Sequence, residues 1–270
     1  MKTFRELQDL TGTWAVITGG AGYVGKAAAE TIIELGGNVI LLDNDMEKLK
    51  VAQTEIVSAK SSNTFLVCCD LSKDKQIEMA ISEIAMITEG KVNILINNAA
   101  FVGTSDLEGW CVPFQEQSIS TFRACLDVNL TAPFVISQKV CALMDNFQHP
   151  LKSIINISSI YGVVGPQMDL YAGTNMGNPA AYAASKAGLM QMTRWMAAVV
   201  SPKIRVNSIV LGGIERGQPT EFQQRYNSKV PLQRMATEED LKGAIGYLSS
   251  QLSNYMTGQT LSVDGGWTIV

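Results

Sequence analysis

Short apolar runs recur along this chain, separated by longer stretches in which apolar positions fall three or four residues apart. The runs are Trp14–Thr18, Val39–Asp43, Thr64–Cys69, Asn93–Ile96, Ser153–Ser158, Arg205–Val210 and Thr260–Val263. They show little polar alternation, as strands buried on both faces do. The intervening stretches predict helices over about 23–36, 45–59, 73–89, 118–144, 180–200 and 237–251. Ser72 and Thr237 stand at predicted N-caps, and Glu238, Glu239 and Asp240 place negative charge at the positive end of a helix. Strand and helix alternate almost throughout, without a repeat or linker. The pattern therefore predicts one α/β domain over 1–270, a doubly wound, parallel, seven-stranded Rossmann sheet with helices on both faces. Ligands of such sheets bind beyond the carboxyl ends of the strands, which is where the chain's chemistry should be sought.

Composition narrows the partners. Hydrophobic residues are 46% and charged residues 17% of the chain, and the formal net charge is −4 without a basic cluster. That argues against nucleic acid or an anionic membrane as a partner. No apolar run approaches the roughly 20 residues needed to span a bilayer, and the first residues lack an apolar signal core, so a cytoplasmic location is expected. Cys68, Cys69, Cys111, Cys125 and Cys141 form no C-x-x-C pair, and His149 is the single histidine. We expect reduced, mostly buried thiols, no metal site and no Ser-His-Asp triad.

After the first strand the chain reads Thr18-Gly19-Gly20-Ala21-Gly22-Tyr23-Val24-Gly25, a G-x-G-x-x-G between a predicted strand and helix. Absent side chains permit a tight turn and let a pyrophosphate approach backbone amides at the helix N-terminus. Asp43 ends the second strand 43 − 25 = 18 residues later, near the spacing at which a carboxylate bonds the adenosine ribose. It would repel a 2′-phosphate, and neither Asn44 nor the glycine loop offers a cation, so NAD is expected over NADP.

Tyr182 and Lys186 are four residues apart on one helix face. A phenol titrates near pH 10, and a neighbouring ammonium is expected to lower that value, fitting Tyr182 to exchange a proton with a substrate hydroxyl while hydride moves to or from a nicotinamide.

Together with Asp70-Leu71, Asn97-Asn98-Ala99-Ala100, Asn129-Leu130, Ile157-Ser158-Ser159, Val206-Asn207 and Val263-Asp264-Gly265-Gly266, these motifs make the chain resemble the short-chain dehydrogenase/reductase family nearly end to end. The resemblance implies an NAD(P)-dependent oxidoreductase. Ser159 would polarise the reacting oxygen, Tyr182 act as acid/base, Lys186 also bond the nicotinamide ribose, and Asn129 support a relay water, with Ser158 structural. Gly19, Gly20, Gly22, Tyr23, Val24, Gly25, Asp43, Asp70, Leu71, Asn97, Ala99, Gly212 and Ile214 would join Tyr182 and Lys186 in holding the cofactor. It also implies a homodimer or homotetramer formed through helices 118–144 and 180–200.

Three features depart from the family. Tyr23 gives the glycine turn a spacing like that of sugar-nucleotide epimerases and dehydratases, the alternative reading, in which NAD is recycled internally; 270 residues leave no room for their further domain, and Ile160 follows Ser159 where dehydratases carry an acid. Leu211-Gly212-Gly213 replaces the usual Pro-Gly, with Glu215 and Arg216 where a threonine is expected to meet the carboxamide. Finally, Ser159 and Tyr182 are 182 − 159 = 23 residues apart, marking an insertion. Tyr171 lies within it but has Asn175, not lysine, four residues on. We expect 163–179 and 213–230 to form a polar lid for a sugar-like substrate through Asp169, Tyr171, Thr174, Asn175, Arg216, Gln218 and Arg225. A family parallel with enzymes of bacterial surface-sugar and flagellin modification points the same way.

Overall fold

A computed structural model describes residues 1–56 and 64–270. It contains the seven expected strands: β1 (Trp14–Thr18), β2 (Asn38–Asp43), β3 (Thr64–Cys68), β4 (Ile94–Asn97), β5 (Ser153–Ser159), β6 (Arg205–Leu211) and β7 (Thr260–Val263). They form one parallel sheet in the order β3-β2-β1-β4-β5-β6-β7. Alternate strand residues serve opposite faces, as the two-residue pleat requires. Ala15, Ile17, Val39 and Leu41 join one core; Val16, Ile40 and Leu42 join the other.

The first core is closed by α2 (Tyr23–Glu34), α3 (Met46–Glu55) and α9 (Glu239–Ser249), the second by α4 (Asp74–Ile87), α6 (Ala132–Asp145) and α7 (Ala180–Val200). The strand order reverses between β1 and β4, opening a crevice above their carboxyl ends. Among the described residues no helix is long and apolar enough to cross a membrane.

Several local expectations change. The helix expected over 45–59 ends at Glu55, and 57–59 lie outside the described residues. The helix expected over 118–144 is α5 (Ile119–Leu126) and α6 joined by a π-turn at Asp127–Thr131, a widening that turns Asn129 inward. Ser72 is not the cap of α4; Lys73 holds that position, while the Ser72 hydroxyl donates to Asp70. At α9, Glu238 is the cap and Thr237 instead donates its N–H to Asp240. Two helices were not foreseen: α1 (Phe4–Gln8), closed by a Thr3–Glu6 capping box, and α8 (Thr220–Lys229). Of the five free thiols only Cys69 and Cys125 are fully buried; Cys68 is exposed.

The expected lid has a core of its own. Leu170 of the insertion packs with Phe222 and Tyr226 of α8, Met235 and Trp267. Tyr226 stacks on Trp267 with centroids 4.6 Å apart, and Tyr171 meets Phe222 at 5.6 Å. The polar residues that motivated the lid mostly face outward. Asp169 pairs with Lys229, and Arg225 donates to the carbonyls of Asp169, Leu170 and Ala172, so it staples the insertion to α8.

Candidate active site

The crevice above β1 and β4 is edged by Gly19, Gly22, Tyr23, Val24, Asp43, Asp70, Leu71 and Ala99. Gly22 caps α2 without a side-chain hydrogen bond, leaving the first-turn amides open to an anion. Gly20 and Gly25 do not line the crevice but make the turn possible: a Cβ on Gly20 would lie 2.8 Å from that of Leu41, and one on Gly25 would collide with the Gly19 carbonyl oxygen. Asp43 accepts the Ala21 N–H at 3.2 Å and the Asn44 N–H at 2.8 Å, tying the strand end to the glycine turn. Open amides, close backbone approach and a carboxylate at the far end fit a dinucleotide.

Two positions differ from expectation here. Asn97 points into the sheet, donating to Ser137 at 3.0 Å and Asn156 at 2.8 Å; its neighbour Asn98 edges the crevice and donates to the Thr18 and Gly19 carbonyls. Along β4 successive side chains take opposite faces, so one residue decides which asparagine is inside. Arg216 was expected over the substrate but reaches the cofactor crevice. Its guanidinium lies 4.4 Å from the Tyr23 ring centroid and pairs with Glu238 at 3.3 Å.

Toward β5 and β6 the crevice continues past Ser159, Tyr182, Lys186, Gly212 and Ile214. Ser158, one residue before Ser159, faces α7 and donates to the Lys186 carbonyl at 3.0 Å. Lys186 is 4% exposed and donates to the Ile157 carbonyl at 2.8 Å; its ammonium sits 5.8 Å from the Tyr182 ring centroid. Burial pushes Lys186 down to about 8. Burial likewise pushes the Tyr182 phenol up, with the nearby Ser159 hydroxyl opposing that shift. The expected lowering of Tyr182 by Lys186 is therefore overridden in the free protein, because desolvation disfavours both charged forms.

Asn129 is fully buried and does not reach the crevice. Its carboxamide accepts from Phe101 N–H at 2.8 Å and donates to the Phe101 carbonyl and the Ser185 hydroxyl. It braces the wall of the crevice against the helix carrying Tyr182.

A second pocket, of about 180 Å³, opens on the other side of Ser159 and Tyr182. Val102, Ile160, Met176, Leu211, Phe222 and Met235 line it together with Thr104, Tyr161, Tyr171, Asn178, Gln218 and Tyr226; among the described residues no Asp, Glu, Lys or Arg does. Tyr171 donates to Tyr161 at 2.7 Å, and burial pushes both phenols up and Tyr226 to about 12, so the walls are neutral near pH 7. Of the expected lid residues only Tyr171 and Gln218 line this pocket. Tyr161 was missed, and Asn178 and Tyr226, inside the segments expected as the lid, were not singled out there; nothing local in the sequence marks them.

The chain belongs to the short-chain dehydrogenase/reductase family and is an oxidoreductase: a family model described as enoyl-(acyl carrier protein) reductase matches residues 20–268. Among curated proteins it is 32% identical over 267 residues to the 3-oxoacyl-(acyl-carrier-protein) reductase FabG of Rickettsia felis, covering 97% of this chain and 99% of that one. It is 28% identical over 253 residues to post-translational flagellin modification protein A of Campylobacter coli, covering 93% and 96%. A short-chain dehydrogenase of Leptospira borgpetersenii with bound NAD+ superposes with a TM-score of 0.83 at 31% identity over 99% of this chain and 96% of that one. A gluconate 5-dehydrogenase of Beutenbergia cavernae, described as putative and NAD(P)-dependent, with bound NADP, gives 0.84 at 27% identity over 98% and 100%.

Proposed function

We propose that this protein is an NAD-dependent dehydrogenase that interconverts a secondary alcohol and a ketone on a small, uncharged, polyhydroxylated substrate. One observation carries the reading: Tyr182, beside Ser159, borders both the dinucleotide crevice and a pocket without a charged wall among the described residues. The nicotinamide, when bound, supplies the hydride exchange. Tyr182, neutral at pH 7, is ready to donate a proton to a ketone oxygen and must lose that proton before it can accept one from an alcohol. Ser159, on the border of the same crevice and pocket, would bond the reacting oxygen. Lys186 spends one of three N–H donors on Ile157, leaving two for the crevice and the ribose beyond it. Asp43 favours NAD because a carboxylate repels a 2′-phosphate, although Arg216 on the same rim narrows that preference.

For the substrate, tyrosine rings offer flat faces to C–H groups while Thr104, Asn178 and Gln218 offer polar partners. The gluconate dehydrogenase relative supports a polyhydroxylated molecule, although gluconate itself carries a carboxylate. The apolar residues Val102, Leu211, Phe222 and Met235 instead favour a 3-oxoacyl thioester, the substrate class named for the Rickettsia relative. The epimerase or dehydratase alternative lacks an acid beside Ser159. We also place the enzyme in the cytoplasm, as a dimer or tetramer through α6 and α7, where Phe134, Trp195 and Val199 are exposed.

The test is turnover of neutral polyols, sugar phosphates, nucleotide sugars and a 3-oxoacyl thioester, followed by reduced-cofactor absorbance. Net NADH formation on neutral polyols supports the reading. Preference for the thioester overturns the substrate class, and product without net NADH overturns the dehydrogenase in favour of the epimerase.

A further inference from the structure

Asn178 closes the inserted segment, one residue before the helix that carries Tyr182. It is 7% exposed and lines the uncharged pocket beside Ser159 and Tyr182. Among the described residues neither its Oδ1 nor its Nδ2 has a hydrogen-bond partner, and both atoms are closed to water in the free protein, so pairing them needs a small movement of the pocket wall. Asn97, Gln167 and Asn227 each leave only one buried amide atom unpaired. A buried amide with both atoms unpaired costs free energy that an apolar residue would avoid, unless something enters to pair it.

The backbone that carries this side chain is held in place. Pro179 restricts the backbone of Asn178 to extended conformations and then caps α7. On the other side the Gly177 carbonyl is seated against Gly103, where no Cβ would fit, and Gly177 packs on Cys111. Cys111 in turn donates its thiol to the Gly103 carbonyl at 3.0 Å. Such double anchoring is how a fold pre-orients a recognition group.

We infer that Asn178 is the specificity-determining residue of this enzyme, its carboxamide pairing with two adjacent oxygens of the substrate, as on a vicinal diol or an α-hydroxy ketone. The inference rests on the polyhydroxylated-substrate reading and names its chemistry. A carboxamide presents a donor and an acceptor side by side, the complement of a hydroxyl next to a second hydroxyl or a carbonyl. A charged group such as a phosphate or carboxylate finds no counter-ion on these walls. Tyr161 accepts from Tyr171 and keeps its own O–H to donate beside the same site. A purely apolar substrate would leave Asn178 buried and unpaired, the condition under which polar sites discriminate most strongly.

The experiment compares 1,2-cyclohexanediol with cyclohexanol as substrates of the NAD-loaded enzyme, for wild type, Asn178→Leu and Asn178→Asp. The readouts are the diol-to-alcohol ratio of kcat/KM and the melting temperature. Wild type should prefer the diol. Asn178→Leu should lower the ratio by about 10- to 100-fold, on the order expected for losing paired hydrogen bonds, without lowering the melting temperature. Asn178→Asp should lose the preference when ionised and regain it as falling pH protonates the carboxyl and restores a donor. An unchanged ratio in Asn178→Leu, a parallel loss on both substrates with a lower melting temperature, or a pH-independent ratio in Asn178→Asp overturns the role of Asn178 alone. Wild-type indifference between diol and alcohol overturns the polyhydroxylated-substrate reading itself.

Discussion

The dinucleotide crevice and the pocket beside it meet at Tyr182 but are made of different material. The crevice is built on the glycine turn, the open end of α2 and the ends of β1, β2 and β4, with charged groups at Asp43, Asp70, Arg216 and, beside Tyr182, Lys186. The pocket draws side chains from segments scattered between Val102 and Met235 and is free of ionised groups among the described residues. A surface of backbone amides recognises a common shape and tolerates no added atom. A surface of side chains can be rewritten residue by residue without disturbing the sheet. This division explains how the same scaffold presents one cofactor to many substrates.

The sharpest way to test that division is at the junction. Tyr182→Phe removes one oxygen, and turnover should fall by about 10²–10⁴-fold while NAD affinity, measured by fluorescence titration, stays within twofold. A loss below about tenfold would remove Tyr182 as the acid/base. On the crevice side, Gly25→Ala places a methyl where the Gly19 carbonyl oxygen sits, so NAD affinity should fall by more than about tenfold, roughly 1.4 kcal/mol. A variant that binds NAD normally would show the turn to be looser than its backbone packing indicates.

A third test uses pH. Lys186 is pushed down to about 8, below its ordinary 10.5, whereas burial pushes Tyr182 up. Ketone reduction should therefore be level below pH 7 and fall as pH rises through about 8, when Lys186 loses its proton while Tyr182 keeps its own. Lys186→Arg does not titrate in this range and should move the fall to higher pH whatever its absolute rate. A profile unaltered by that substitution would assign the limb to another group. The smallest expected effect is in cofactor choice. Asp43→Ala with Asn44→Arg should raise the NADP-to-NAD ratio of kcat/KM by about tenfold, one ion pair to the 2′-phosphate replacing a repulsion. No change would mean that Arg216 already sets the preference from across the crevice.

Much of the crevice was legible in the sequence because its parts are contiguous. A G-x-G-x-x-G between strand and helix, an aspartate at the next strand end and a Tyr-Lys pair one helical turn apart each report a local geometry, and local geometry follows from spacing. The seven strands were legible for the same reason, since burial on both faces leaves an unbroken apolar run. Where alternation alone had to choose, as between Asn97 and Asn98, sequence spacing carried no information about which of the two edges the crevice.

Composition misled at the insertion and α8. Their polar residues were read as substrate contacts, but Arg225 reaches back 53 positions to bond Ala172, Asp169 pairs with Lys229, and Arg216 crosses to Tyr23 on the cofactor side. The aromatic residues that look inward are the ones that hold these segments together. By itself, then, the sequence determined the sheet, the cofactor turn and the Ser159, Tyr182 and Lys186 set, because periodicity and short spacing are properties of one segment. Only the tertiary structure decided what lines the pocket and which amide is left unpaired at Asn178, because those depend on which distant segments are brought face to face.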